Sequence, residues 1–547
     1  MIRFQQAHID RSSPPSNLWP WWRLQALPVL VFGVFTFVAL YISPLSLAAK
    51  DGELTITPVD DASKQPVPIR ILLRNDAGRI PRLPGLLKRG DWYLLDRTFV
   101  IRQRDGDFNY IASRGLEYAL TQGGFTMSRD ASDEMTLYVE RSCEMRKEDW
   151  WGGDLWSEVP RDELVRWMGA DDLDLALTIT RPEPIVTSDV SSSAPAAKPK
   201  PKPSAANLDR IEDSRERWAS QASFADLRVE SGLLFHGWTR MESVNLKTLT
   251  ELPISPRILQ RALDDNATHI AVAQPWARDV PIWLAQGRID SFAVMAHHLQ
   301  PEKGLPISAA TYNPDPVRFS GPRGLGRLVE FTYWQLLEAG FRIAPSAASG
   351  FGHHGVDSHL GYNRIYVSLA GSDSESTWWE RLKAGKAMVT NGPLLRPLIN
   401  GELPGATLRA SQGETLELNV GVSLSVRDPV EYMEVVHNGE SLYRARLDEH
   451  AQRGGVIPPL KVKESGWVLI RVVTDHEPSY RFAMTAPYYI EIGQQPRIKS
   501  EAVAFFQAWL AESEKRIEKL EPANRDAYRP YLEKAHEFWQ QRASQAR

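Results

Sequence analysis

The stretch from Gln274 to Gln300, QPWARDVPIWLAQGRIDSFAVMAHHLQ, most constrains what this chain can fold into. Asp279 is placed to cap a short helix burying Val280, Ile282, Trp283 and Leu284, and Gly287 to end it in the left-handed conformation. Ile289 to Ala296 follows as a mostly apolar run, unbroken from Phe292. Such a run fits a parallel strand covered on both faces. Its C-terminal end delivers His297 and His298 to the rim where parallel α/β folds hold ligands and metals, because loops there vary while strands hold position.

The flanking sequence repeats the helix–strand alternation. A helix is predicted over 161–168, a buried strand over 173–180, another strand over 232–237, a helix over 255–263 and a strand over 269–273. Further on come a helix over 328–339 and a strand over 341–345, then a strand over 364–369, a helix over 377–384 and a strand over 387–390. Helices alternating with single strands predict a parallel barrel or layered sheet spanning 146–395. Residues 184–206, rich in Pro, Ser, Ala and Lys, interrupt it and cannot build a core. Before it, residues 51–65 read as a polar surface lead-in, and 66–145 alternates apolar and polar residues around turn signals, as in a small antiparallel β domain. After it, 396–495 reads as a second, sandwich-like β domain with a hairpin signal at Asn438-Gly439. Residues 499–547 read as a charged helical tail broken near Pro522 and Pro530.

With 547 residues, 43% of them hydrophobic, the chain can bury two or three cores. Its 64 basic and 68 acidic residues leave a net charge of -4, and the basic residues are dispersed apart from Lys198, Lys200 and Lys202. Nothing here points to nucleic acid as a partner. The apolar run from Leu27 to Ile42, preceded by Arg3, Arg11 and Arg23, is short for a spanning helix of about 20 residues and suits a signal-peptide core. Small residues at Ser46, Ala48 and Ala49 suit a peptidase, which predicts export to the periplasm or exterior with residues 1–49 removed. Trp19, Trp21 and Trp22 support the other reading, an uncleaved membrane anchor. The single cysteine, Cys143, forms no intramolecular disulfide.

The segments PWARDVPIWLAQGRIDSF, YWQLLEAGFRIAPSAASG, GYNRIYVSLAG and WWERLKAGKAMVTNGPLLRPLINGELPG resemble the CehA/McbA-type branch of the PHP metallohydrolase superfamily. The resemblance runs in domain order from Pro66 to Gly493. It implies a distorted (β/α)7 PHP-like barrel flanked by two small antiparallel β domains. It also implies divalent metal, zinc, manganese or iron, at the C-terminal ends of the strands. The family's opening His-x-His falls at GDLWSE, where Trp156 and Glu158 stand in the two histidine positions, and Gln274 stands where the family carries a glutamate. An indole offers a metal no lone pair, whereas a carboxylate does. His298 matches a retained histidine, and the late Asp-x-His element falls at SGFGHH, without its aspartate.

Metal-activated water needs several anionic or imidazole ligands around an open position. Asp154, Glu158, His298, His353 and His354 are the candidate ligands. Gln274, Asp279, His297, Arg323 in GPRGLG and Asn391 in TNGP are candidate substrate-binding residues, with capping, turn and solvated-loop roles as their ordinary alternatives. No Ser-His-Asp order, Walker loop or dinucleotide fingerprint stands in a fitting context. Two readings follow. One is an exported metal-dependent hydrolase of an ester, amide, carbamate or phosphoester. The other is a catalytically degenerate scaffold that binds a ligand or partner. Substrate and oligomeric state are not encoded in any motif.

Overall fold

The computed structural model describes residues 51–179, 218–224, 232–237, 254–493 and 497–547. The apolar N-terminal run and the 184–206 linker lie outside them. No described helix is long and apolar enough to cross a membrane.

The N-terminal β domain begins earlier than its polar lead-in suggests. Gly52–Asp60 is a strand, because Leu54 and Ile56 turn into the core while Thr55 and Thr57 stay half-buried. It pairs antiparallel with Phe99–Gln103 and parallel with Ser132–Val139, so the domain is not purely antiparallel. A five-stranded sheet centred on Ile69–Asn75 packs against it through Ile71, Tyr93, Phe108 and Phe125.

The α/β pattern is observed, with boundaries moved by a few residues and two strands added, Trp150–Ser157 and Trp218–Phe224. In path order the strands are Trp150–Ser157, Leu175–Ile179, Trp218–Phe224, Leu233–His236, His269–Val272, Ser291–Met295 and Ala344–Ala347. The first three are mutually parallel, as are the last three. Leu233–His236 is antiparallel to both its neighbours, which breaks the expected parallel order. The connection 225–232 is shorter than the dozen or so residues a parallel crossover needs. After Ala344–Ala347 the chain returns to the first strand. Gly350 N donates to Trp156 O at 3.1 Å and Glu158 N to Phe351 O at 2.7 Å, with one parallel bridge between Ser157 and Phe351. Beyond that bridge no ladder closes the ring among the described residues, so the architecture is a mixed α/β sheet carrying helices.

On its other edge, Trp150–Ser157 pairs antiparallel with Arg364–Ser368, and the sheet continues through Ala387–Thr390 into Phe482–Thr485, Gly466–Thr474, Val430–His437 and Glu440–Ala445. The C-terminal β region is therefore continuous with the α/β body. Strand alternation divides its side chains. Val468, Ile470 and Val472 enter the core of that region, while Trp467, Leu469 and Val473 enter the core of the α/β body.

The tail forms two helices, Ser500–Ile517 and Pro522–Gln545. Pro522 starts the second, as its fixed φ allows, but Pro530 does not break it. Pro530 is exposed, so the carbonyl it deprives of a donor faces water, while Tyr528, Ala535 and Trp539 hold the opposite side in the core. Trp539 Nε1 donates to Pro281 O at 3.0 Å, fixing the tail on the α/β body.

Candidate functional site

The short helix after Gln274 forms over Val280–Gln286, every residue of it buried. Asp279 precedes it but makes no side-chain cap bond. Its Oδ2 accepts from Ser255 Oγ at 2.6 Å and Tyr528 OH at 3.0 Å, and its Oδ1 accepts from Arg278 Nε at 3.0 Å. It is thus a buried junction between helices. Gly287 has φ 150°, open to glycine but outside the compact left-handed region. Ser291–Met295 is buried throughout and places His297 and His298 beyond its C-terminal end.

His298 is fully buried, and neither ring nitrogen has a hydrogen-bond partner. Its ring meets Trp276 edge-on at 4.8 Å. Burial, reinforced by His297, pushes its pKa well below the ordinary histidine value, so it is neutral near pH 7. His297 lies between Trp156 and Trp276, with ring centroids at 4.8 and 5.3 Å, and its pKa falls to about 3, chiefly by burial and then by His353. Gly350, with φ 67°, permits this packing: a Cβ there would lie 2.9 Å from that of His297.

Across the mouth, Asp154 is fully buried in the first strand of the path. Its Oδ1 accepts from the backbone N–H of Trp156 at 3.2 Å and Ser349 at 2.9 Å, and its Oδ2 from that of Gly361 at 2.7 Å. Burial raises its pKa to about 6 against the opposing pull of these bonds and of the Ser349 hydroxyl. Glu158 Oε1 accepts from Trp156 Nε1 at 3.3 Å and pairs with His353 Nδ1 at 2.8 Å. His353 lies 5.2 Å from the Trp156 ring and 5.8 Å from that of His297. Glu158, His353, His297 and Trp156 are therefore one cluster, walled by Trp276. His354 is exposed beside it, and Gln274 is half-buried with its backbone N–H donated to Gly232 O at 3.0 Å.

Two expected members lie elsewhere. Arg323 donates to His476 O at 3.0 Å, Thr474 O at 3.1 Å and Glu431 Oε2 at 3.2 Å, joining its loop to the C-terminal sheet. Asn391 bridges strands instead of facing the mouth: Oδ1 accepts from Phe482 N at 2.8 Å and Nδ2 donates to Tyr480 O at 3.2 Å. Asn363 went unrecognised in the sequence. Fully buried, it donates from Nδ2 to Ala296 O at 2.9 Å and Leu299 O at 3.0 Å, fixing the backbone on both sides of the paired histidines. Its only sequence signal was its place in the GYN turn before a strand.

The chain matches no family model, no curated protein and no solved structure.

Among the described residues, no three His, Cys, Asp or Glu side chains are grouped so as to hold a metal ion. The chemistry of the donors gives the reason. Asp154 directs its oxygens to amides, Glu158 is shared between an indole and an imidazole, and the Trp156 indole offers a metal no lone pair. His297 and His298 both have buried, unpartnered ring nitrogens, but among the described residues no third His, Cys, Asp or Glu is grouped with them, and two imidazoles alone do not make a divalent site. The residues present do not fit the expected metal.

Proposed function

We propose that this chain is a PHP-like protein, its α/β body a distorted seven-stranded barrel, in which an aromatic and hydrogen-bonded plug stands in place of the metal centre. It acts by binding a ligand or partner, exported or membrane-anchored through its N-terminal apolar run. The seven strands in path order and the return bonds from Gly350 and Phe351 to the first strand support the barrel. One observation carries the functional reading: the buried Trp156 indole donates to Glu158, which also pairs with His353, while Asp154 accepts three backbone amides. A catalytic metal site needs an open coordination position, and this network offers none.

A second reading, the metal-dependent hydrolase of an ester, amide, carbamate or phosphoester, is favoured by His298. A buried imidazole with two unpartnered nitrogens forfeits about 1–3 kcal/mol for each unmet bond, and a bound ion would satisfy one of them. Metal analysis of the full chain purified without chelator separates the readings. The binding protein is expected to carry less than about a tenth of an equivalent of zinc, manganese or iron. A stoichiometric metal lost on His298→Ala substitution, together with hydrolysis of a panel of such substrates, would overturn the proposal.

A further inference from the structure

We infer that the cleft between the Gly324–Glu338 helix and the adjoining face of the C-terminal sheet binds a small aromatic anion, an aryl carboxylate bearing a hydrogen-bonding substituent. The cleft has a volume of about 300 Å³ and shares no lining residue with the strand-end cluster, so this inference is independent of the reading of that cluster. Its size is at the small end of ligand pockets and suits a small molecule.

The helix contributes Arg327, Glu330, Phe331 and Trp334, spaced so that one face looks across the cleft. The opposite wall comes from strand positions that alternate away from the C-terminal core, including Tyr432, Arg471 and Val473. Five arginines and two glutamates line the space, an excess of three positive charges.

Those charges are distributed unevenly. Arg471 is paired with Glu330 and with Glu434, both at 2.7 Å, and Arg323 with Glu431 at 3.2 Å. Both lining glutamates are thereby occupied. Among the described residues, Arg318, Arg327 and Arg444 have no carboxylate partner. Arg444 lies 3.7 Å above the Tyr432 ring, Arg318 lies 4.9 Å above that of Phe331, and Arg327 donates only to the Ser320 carbonyl at 3.1 Å. A guanidinium resting on a ring is held in place while its fork of donors stays available, which suits a planar carboxylate.

The buried wall adds a second, independent indication of a ligand. Glu330 is 5% exposed, and its Oε1 has no hydrogen-bond partner; the buried Trp334 Nε1–H has none either. Such groups are uncommon and point to a missing partner. A hydroxyl on the ligand's ring has the chemistry to meet either group, donating to Glu330 or accepting from Trp334. The rings of Phe331, Trp334 and Tyr432 supply the apolar contact for its body.

The test is calorimetric titration of the full chain with 6-hydroxy-2-naphthoate, alongside 2-naphthol and inorganic phosphate. Saturable one-to-one binding of the naphthoate is expected, weakening by about tenfold or more in 2-naphthol, which lacks the carboxylate, and in the doubly substituted R327Q/R444Q protein. Both arginines are exposed, and an unchanged circular dichroism spectrum and unfolding midpoint would show that the variant is folded. The inference is overturned by absence of saturable naphthoate binding below about 1 mM, by equal affinity in the folded variant, or by inorganic phosphate competing as strongly as the naphthoate.

Discussion

Asp154→Ala tests most directly whether this carboxylate is a loop clamp or a metal ligand. The substitution strips acceptors from the backbone N–H groups of Trp156, Ser349 and Gly361, at 3.2, 2.9 and 2.7 Å in the wild type. Each buried amide left unpartnered costs about 1–3 kcal/mol, and removal of a buried carboxyl offsets part of the sum, leaving a net loss of roughly 3–5 kcal/mol. Because the chain has several cores, a single unfolding midpoint mixes their responses. Hydrogen exchange reads the clamp locally. A hydrogen bond to a carboxylate contributes about 1.5–3 kcal/mol, so protection at Ser349 and Gly361 should fall by about tenfold to a hundredfold. Peptides from the N-terminal β domain should be unaffected. The fall should be the same with or without chelator. Unchanged protection at those two amides refutes the clamp, as does a wild-type protein that loses the same protection when treated with chelator alone.

Three further outcomes follow from the same geometry. Asp154 has its pKa raised from 3.8 to about 6, so its stabilising contribution is fully present below about pH 4 and is lost as pH rises through about 6; His297 is lowered from 6.5 to about 3, and its contribution is present above about 6.5 and lost as pH falls toward 3. Relative to wild type, Asp154→Asn should therefore become less stable, and His297→Gln more stable, as pH is lowered from 7 to 4.5 in urea titrations; slopes of the same sign would contradict the assignment. Tyr528→Phe removes the hydroxyl that donates to buried Asp279 at 3.0 Å, costs about 1–2 kcal/mol, and should speed limited proteolysis between the α/β body and the tail. Glu330→Gln breaks the buried pair with Arg471 and should lower local stability by roughly 3 kcal/mol, visible as lost hydrogen-exchange protection in the Gly324–Glu338 helix.

Much of the fold was legible because its strands are covered on both faces. Continuous apolar runs such as Phe292 to Ala296, set off by Gly287 and by paired histidines, carry their own boundaries. Trp218–Phe224 was not legible, since WASQASF has neither an apolar run nor clean alternation; it is held as a strand by pairing on both sides. Gly52–Asp60 was obscured by its threonines and acids, although Leu54 and Ile56 keep the period of two that buries it. Pro530 shows the converse limit. A proline breaks a helix through its missing N–H and its ring, and whether the surroundings absorb that depends on which face it occupies.

The site was legible as a location and misleading as a set of ligands, and Trp156 explains the difference. A side-chain type states what atoms are available but not what already engages them. Asp154, Glu158 and Asp279 are all acids that the sequence offers as site residues, yet one accepts three backbone amides, one is shared by an indole and an imidazole, and one joins Ser255 of a neighbouring helix, the adjacent Arg278 and Tyr528 of the tail. Arg323 likewise has a donor fork that suits an anion but divides it between two carbonyls and a glutamate. What distinguishes a candidate ligand is capacity left unmet after packing. By that measure His297 and His298 are open positions at the strand ends, while Glu330, Trp334 and three arginines without a carboxylate partner among the described residues mark the cleft beside the C-terminal sheet. The cleft combines unmet donors, an unmet acceptor and space in one place, whereas the paired histidines have unmet nitrogens but, among the described residues, no third acid or imidazole grouped with them to share an ion. That contrast supports the proposed binding role over metal-assisted hydrolysis.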